Sequence, residues 1–297
     1  MTGVAREDVS YLSDGDEIAA WFYPAGGDGP APAIVFCPGF TGTRQAAFYQ
    51  PYVERHVEAG YGVLLGDYRG WGDSGGPLGE IVPLRQVDDI RNGLSYLETR
   101  DDVDPKRLAL LGVSFGGGNA LYTAGVDDRV RCCVAISSVT DGRAWMRAMR
   151  REYEWHELLD RLAADRRARA LGEEGEVVDP TEEILVSTPE RRTTTVKGNV
   201  PAVPKRTPLR CAQDVIDFRP VERVAGIAPR AVLLFYVTRD AVVPGEQSEA
   251  AFAAAAEPKK LVRLEGDKHY EAYLEHLDRI WADTREWLAE HCPQGAA

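Results

Sequence analysis

Residues 107–122 read RLALLGVSFGGGNALY. Leu108–Val113 is a short continuous apolar run, the length of a buried strand. Gly112-Val113-Ser114-Phe115-Gly116 closes it as a G-x-S-x-G, and a Gly- and Ala-rich stretch with helical character follows. A serine on such a strand-to-helix turn is held clear of the backbone with its hydroxyl exposed. Small flanking residues let the strained turn form without clashes. The start of the following helix offers N–H groups that have no intrahelical acceptor. Ser114 is therefore the candidate nucleophile, and the Phe115 amide a candidate donor to a developing oxyanion.

Working outward, short apolar runs recur at Asp16–Tyr23, Ala33–Cys37, Tyr61–Gly66, Arg107–Val113, Arg129–Ser137, Ala231–Thr238 and Lys260–Leu264. Helix-like stretches lie between them: Phe48–Ala59, Pro83–Thr99, Phe115–Gly125, Gly245–Ala256 and Tyr270–Glu290. Buried strands alternating with helices predict an α/β fold, with a mostly parallel central sheet covered on both faces. One stretch breaks the alternation. Residues 141–213 hold no convincing parallel strand and read as an inserted helical cap on a core formed by 1–140 and 214–297. The cap opens with a helical pattern from Gly142 to Leu171, in which Trp145, Met149 and Tyr153 share one face at i, i+4 and i+8. That face either packs on the core or turns Trp145 and Tyr153 toward a substrate pocket. The same stretch carries eight Arg against five acids. Arg147 and Arg151 are candidates to meet an anionic substrate. The alternative is a solvated face of i,i+4 ion pairs such as Asp165–Arg169. Prolines at 201, 204 and 208 form a candidate strap.

A serine hydroxyl needs a base. Of five histidines, His269 in LEGDKHY (264–270) follows the last strand, at the sheet edge where the serine turn also lies. His56, His276 and His291 fall within or at the end of helical patterns and read as surface or packing residues, and His156 lies in the cap. Asp240 in TRDAVVP (238–244) stands at the carboxyl end of another strand, whereas Asp214 and Asp217 precede that strand. The order Ser114, Asp240, His269 is that of one triad class. The loop CPGFTGT (37–43) turns sharply at Pro38-Gly39. It leaves the Phe40 amide, with Thr41 close behind, as the second oxyanion donor. Gly72-Asp73-Ser74-Gly75-Gly76-Pro77 matches the serine motif of trypsin-like proteases letter for letter, but its strand–helix context is wrong for that two-barrel fold.

The chain has 297 residues, enough for one α/β domain with an insertion. It is 44% hydrophobic and 28% charged, which excludes global disorder. A net charge of −12 argues against nucleic acid and anionic membrane surfaces as partners. The longest apolar run, Ala231–Val237, is far short of the ~20 residues that span a bilayer. MTGVAREDVS lacks the apolar core of a signal peptide. The five cysteines show no metal-ligand spacing, so reduced thiols in a cytoplasmic protein are expected. No metal or organic cofactor is expected, and the cap or the last helix is a candidate homodimer face.

In order, CPGFTGTR (37–44), GDYRGWGDSGG (66–76), GVSFG (112–116), TRDAVVP (238–244) and GDKHY (266–270) resemble the motifs of the α/β-hydrolase superfamily. The resemblance covers about residues 18–141 and 231–290. The likeness is greatest to dienelactone-hydrolase-like and acyl-peptidase-related serine esterases, apart from Ser in place of Cys as nucleophile and a cap of about 70 residues. It explains the trypsin-like motif as a structural loop in which Asp67 and Arg69 are structural. It implies an α/β-hydrolase fold and a serine hydrolase acting on a small acyl substrate, most simply a carboxylic ester. The alternatives are lactone, thioester, amide or C–C cleavage or acyl transfer by the same triad, and a binding protein that has lost catalysis.

Overall fold

The computed structural model describes residues 4–27, 29–197 and 204–295; Pro201 of the candidate strap lies outside them. Eight strands form one sheet: β1 (Glu7–Ser13), β2 (Asp16–Tyr23), β3 (Ala31–Cys37), β4 (Gly62–Gly66), β5 (Val103–Val113), β6 (Val130–Ile136), β7 (Ala231–Val237) and β8 (Lys259–Leu264). Their spatial order is β1-β2-β4-β3-β5-β6-β7-β8. From β4 to β8 every pairing is parallel; β1 and β2 run antiparallel at one edge. The central strands carry continuous apolar runs because both of their faces are covered: Leu108–Val113 of β5 is buried, as are all seven residues of β7. β1 lies outside the expected set. Its alternation is broken by exposed Leu12, and only the tight Asp14-Gly15 turn, with both residues at positive φ, marks the hairpin.

Helices α1 (Gln50–Glu58) and α9 (Leu277–His291) cover one face, where Tyr52, Val53, Ile280 and Leu288 meet Phe36, Leu111 and Phe235. Helices α2 (Pro83–Glu98), α3 (Phe115–Val126) and α8 (Glu246–Ala254) cover the other, burying Ile90, Leu94, Leu121 and Ala251 against Val35, Leu110 and Leu234. The last helix starts later than expected. His269–Ala272 forms a separate 3₁₀ turn before Leu277. The chain leaves β3 toward β4 on one side and returns to β5 on the other. The carboxyl ends of β3 and β5 therefore flank a topological switch point, where open parallel sheets leave a crevice.

Between β6 and β7 lie α4 (Gly142–Ala148), α5 (Glu152–Ala170), α6 (Pro189–Lys197) and α7 (Arg210–Asp217). A short antiparallel pair, Val177–Val178 with Thr207–Pro208, and a wide turn at Pro180–Ile184 complete the segment. The expected boundary at 213/214 falls inside α7, which packs on α4 and α5. The helix expected across Gly142–Leu171 is broken at Met149–Arg151, where Glu154 accepts from the Arg151 amide to cap a new helix. The break resets the helical phase. Trp155, Leu158 and Leu162 face inward, and Tyr153 is 55% exposed. The expectation that Tyr153 binds substrate is therefore corrected. Among the described residues no helix is long and apolar enough to cross a membrane.

Candidate active site

Ser114 sits between β5 and α3 with φ 54° and ψ −121°, a conformation that costs energy in a residue with a Cβ. Neighbouring strands over-determine it: the Ser114 amide donates to Ile136 O at 2.8 Å, and Val139 N donates to Ser114 O at 3.1 Å. The glycines around it are spacing requirements. A Cβ on Gly116 would lie 2.1 Å from Pro38 O and 2.2 Å from Cys37 O, so only glycine lets α3 start this close to the end of β3. Ser114 is half-buried and lines a cavity of about 70 Å³ at the switch point.

His269 begins the 3₁₀ turn after β8 and is 3% exposed. Its Nδ1 lies 2.6 Å from Asp240 Oδ2. The other carboxylate oxygen of Asp240 accepts from the Val242 and Val243 amides at 2.8 and 2.9 Å. These three contacts fix the carboxylate and leave Nδ1 carrying its proton toward it, so Nε2 is the acceptor nitrogen. Nε2 lies 3.0 Å from the hydroxyl of Tyr273, one turn further on. Burial pushes the Tyr273 phenol well above its usual range, so it stays a neutral donor. Among the described residues no Ser114–His269 hydrogen bond is formed; such contacts often tighten only when substrate binds.

The loop after β3 faces Ser114 across the cavity. A bond from Gly42 N to Gly39 O at 2.8 Å closes a turn around Phe40 and Thr41, with Thr41 at φ 56°. Tyr49 braces it by accepting from Gly39 N at 3.0 Å. Neither the Phe40 nor the Phe115 amide donates to another protein group among the described residues, as an oxyanion hole requires. Trp145 is fully buried, donates from Nε1 to Val242 O at 2.8 Å, and meets Phe40 and Phe115 edge-on or tilted at 5.6 and 5.7 Å. It both packs and lines the cavity, and Thr41 lines it too.

Other expectations resolve by geometry. Ser74 donates to Asp67 O and accepts from Ala19 N, as a loop brace. Asp67 is buried against Arg44, and Arg69 against Asp89 at 2.7 Å. Arg147 pairs with Glu152 on the surface and Arg151 is exposed, so neither meets the cavity. The Asp165–Arg169 pair forms at 2.8 Å. All five cysteines are free and buried.

Five contributors were not foreseen, Tyr49 on the loop after β3 among them. Tyr273 had a signal, since it stands four residues after His269. Leu185, Arg191 and Glu190 had none, because they lie far from the triad in sequence, Leu185 in a loop of the insertion and the other two at the start of α6. Leu185 and Arg191 line the cavity. Glu190 accepts from the backbone amides of His269 at 3.2 Å and Tyr270 at 2.9 Å.

The chain as a whole is similar to known proteins. The chain is 29% identical over 284 residues to an uncharacterized 31.7 kDa protein of Escherichia coli from the traX-finO intergenic region, covering 94% of this chain and 97% of that one. It is 27% identical to a thiohydrolase of Eupenicillium brefeldianum, covering 96% of this chain and 92% of that one. The crystal structure of the α/β hydrolase GrgF from a Penicillium species superposes with a TM-score of 0.83 at 24% identity, covering 97% of this chain and 99% of that one. The model of the α/β hydrolase family matches residues 34–283, from within β3 into α9 and across the whole site, and the chain belongs to that family.

Proposed function

We propose that the protein is a serine hydrolase that cleaves an acyl bond, most simply a carboxylic ester, through Ser114, His269 and Asp240. The observation that carries this reading is the 2.6 Å contact from His269 to a doubly amide-held Asp240, on a cavity that Ser114 lines. His269 Nε2 takes the Ser114 proton as Oγ attacks the substrate carbonyl. Asp240 keeps the proton on Nδ1 and stabilises the imidazolium. The Phe40 and Phe115 amides receive the developing oxyanion. The imidazolium then protonates the leaving group. A water deprotonated by the same nitrogen attacks the acyl-enzyme, returning Ser114 and the free acid.

The finer likeness to dienelactone-hydrolase-like and acyl-peptidase-related esterases rests on the motifs alone. A thioester is the second substrate class to test, because one relative over nearly the full chain is named a thiohydrolase. Incubation with a fluorophosphonate and peptide mapping tests the nucleophile. One adduct on Ser114 is expected, together with a fall of several orders of magnitude in ester or thioester turnover in Ser114→Ala. An adduct on Ser74, or near-normal turnover in that variant, would overturn the assignment.

A further inference from the structure

The start of α6 touches both halves of the catalytic machinery. Glu190 spreads its two carboxylate oxygens over the amides of His269 and Tyr270, the first two residues of the 3₁₀ turn that carries the base. The next residue, Arg191, lines the cavity and places its guanidinium 3.4 Å from Thr41 Oγ1, on the loop that carries the Phe40 amide. These contacts cross 79, 80 and 150 residues of sequence, so they exist only when the inserted segment sits over the core.

The 3₁₀ turn is also tied from within: Glu271 accepts from the Asp267 and Lys268 amides at 3.0 and 3.2 Å, and the Tyr273 amide donates to Tyr270 O at 3.0 Å. Its opening amides have no acceptor within the turn, as at any helix start. A carboxylate on two such amides is a charge-assisted contact, roughly twice as strong as a neutral one. Besides Glu190, the groups facing His269 are Asp240 on Nδ1, the Tyr273 hydroxyl on Nε2 and the ring of Tyr270 edge-on at 5.5 Å. None of these three holds the backbone of residues 269 and 270.

Resting on the serine-hydrolase reading above, we infer that Glu190 is a positioning residue: it ties the backbone of the catalytic histidine to the inserted segment and so sets the base in register.

The test compares wild type, Glu190→Gln and Glu190→Asp in full-length protein. The readouts are ester turnover against pH, melting temperature, and hydrogen exchange of the His269 and Tyr270 amides. Glu190→Gln keeps the shape but removes the charge and one of the two acceptors. It is expected to lower kcat on the order of tenfold with KM nearly unchanged, because the base loses register rather than the site losing affinity. The acid limb of kcat/KM is expected to move to lower pH, since a nearby carboxylate favours the imidazolium. The two amides should exchange faster, and Glu190→Asp should restore the acid limb. Three outcomes would overturn the inference: unchanged kcat and exchange, an effect on KM alone, or a kcat loss that tracks melting temperature with a wild-type pH profile. Should Ser114 of the wild type fail to react with the fluorophosphonate, the hydrolase reading falls, and the exchange data alone decide whether Glu190 locks the turn.

Discussion

At the scale of single residues, the base nitrogen is already occupied. The Tyr273 hydroxyl donates to His269 Nε2 at 3.0 Å, at the atom that must accept the Ser114 proton. Before Ser114 reacts, that bond must be exchanged for one to Oγ. Tyr273→Phe removes the competitor but keeps the buried ring, which stacks on Phe48 and meets Tyr270 edge-on. A net hydrogen bond of about 1 kcal/mol corresponds to roughly a fivefold change in rate. Ser114 in this variant is expected to react with a fluorophosphonate a few-fold faster than in wild type. Slower labelling at unchanged melting temperature would mean that the phenol assists the base instead.

At the scale of elements, the site depends on how close α3 stands to β3. Gly116 is the contact point, and its missing Cβ leaves room for two backbone carbonyls that cannot move without the strand. Gly116→Ala is expected to cost about 1–3 kcal/mol of stability, as overpacking does. It should also abolish Ser114 labelling, since the Phe115 amide and the serine turn shift together. Denaturant unfolding and the labelling rate, measured on the same sample, check both halves. Full labelling in a destabilised variant would separate the packing role of Gly116 from any role in holding the serine turn.

At the scale of the whole molecule, acid stability should have an identifiable source in the α1–α9 interface. His56 is buried, donates from Nδ1 to Tyr52 O at 2.6 Å and meets Trp281 edge-on, while its Nε2 has no partner. Burial pulls its pKa from 6.5 down to about 4. A depressed folded-state pKa means that the unfolded chain takes up the proton first. The contribution of His56 is therefore complete above about pH 6.5 and is lost as pH falls toward 4, by roughly 3 kcal/mol in total. Urea unfolding across that window should show the loss, and His56→Gln should flatten that part of the profile. An unaltered profile in the variant would assign the acid sensitivity to other groups.

Much of this protein is legible along the chain. The parallel sheet follows from continuous apolar runs alternating with helices, and Ser114, Asp240 and His269 follow from their places at the carboxyl ends of three strands. These are local matters of period, turn chemistry and position relative to a strand, and short segments carry them. The structure alone decided which face of the insertion points inward. Its helix breaks at Met149–Arg151, and three residues of irregular backbone reset the phase that would have brought Tyr153 beside Trp145. It also decided what touches the base from a distance. Glu190 reaches the His269 amide across 79 residues, a contact that no periodicity encodes because it exists only once the inserted segment has packed onto the sheet.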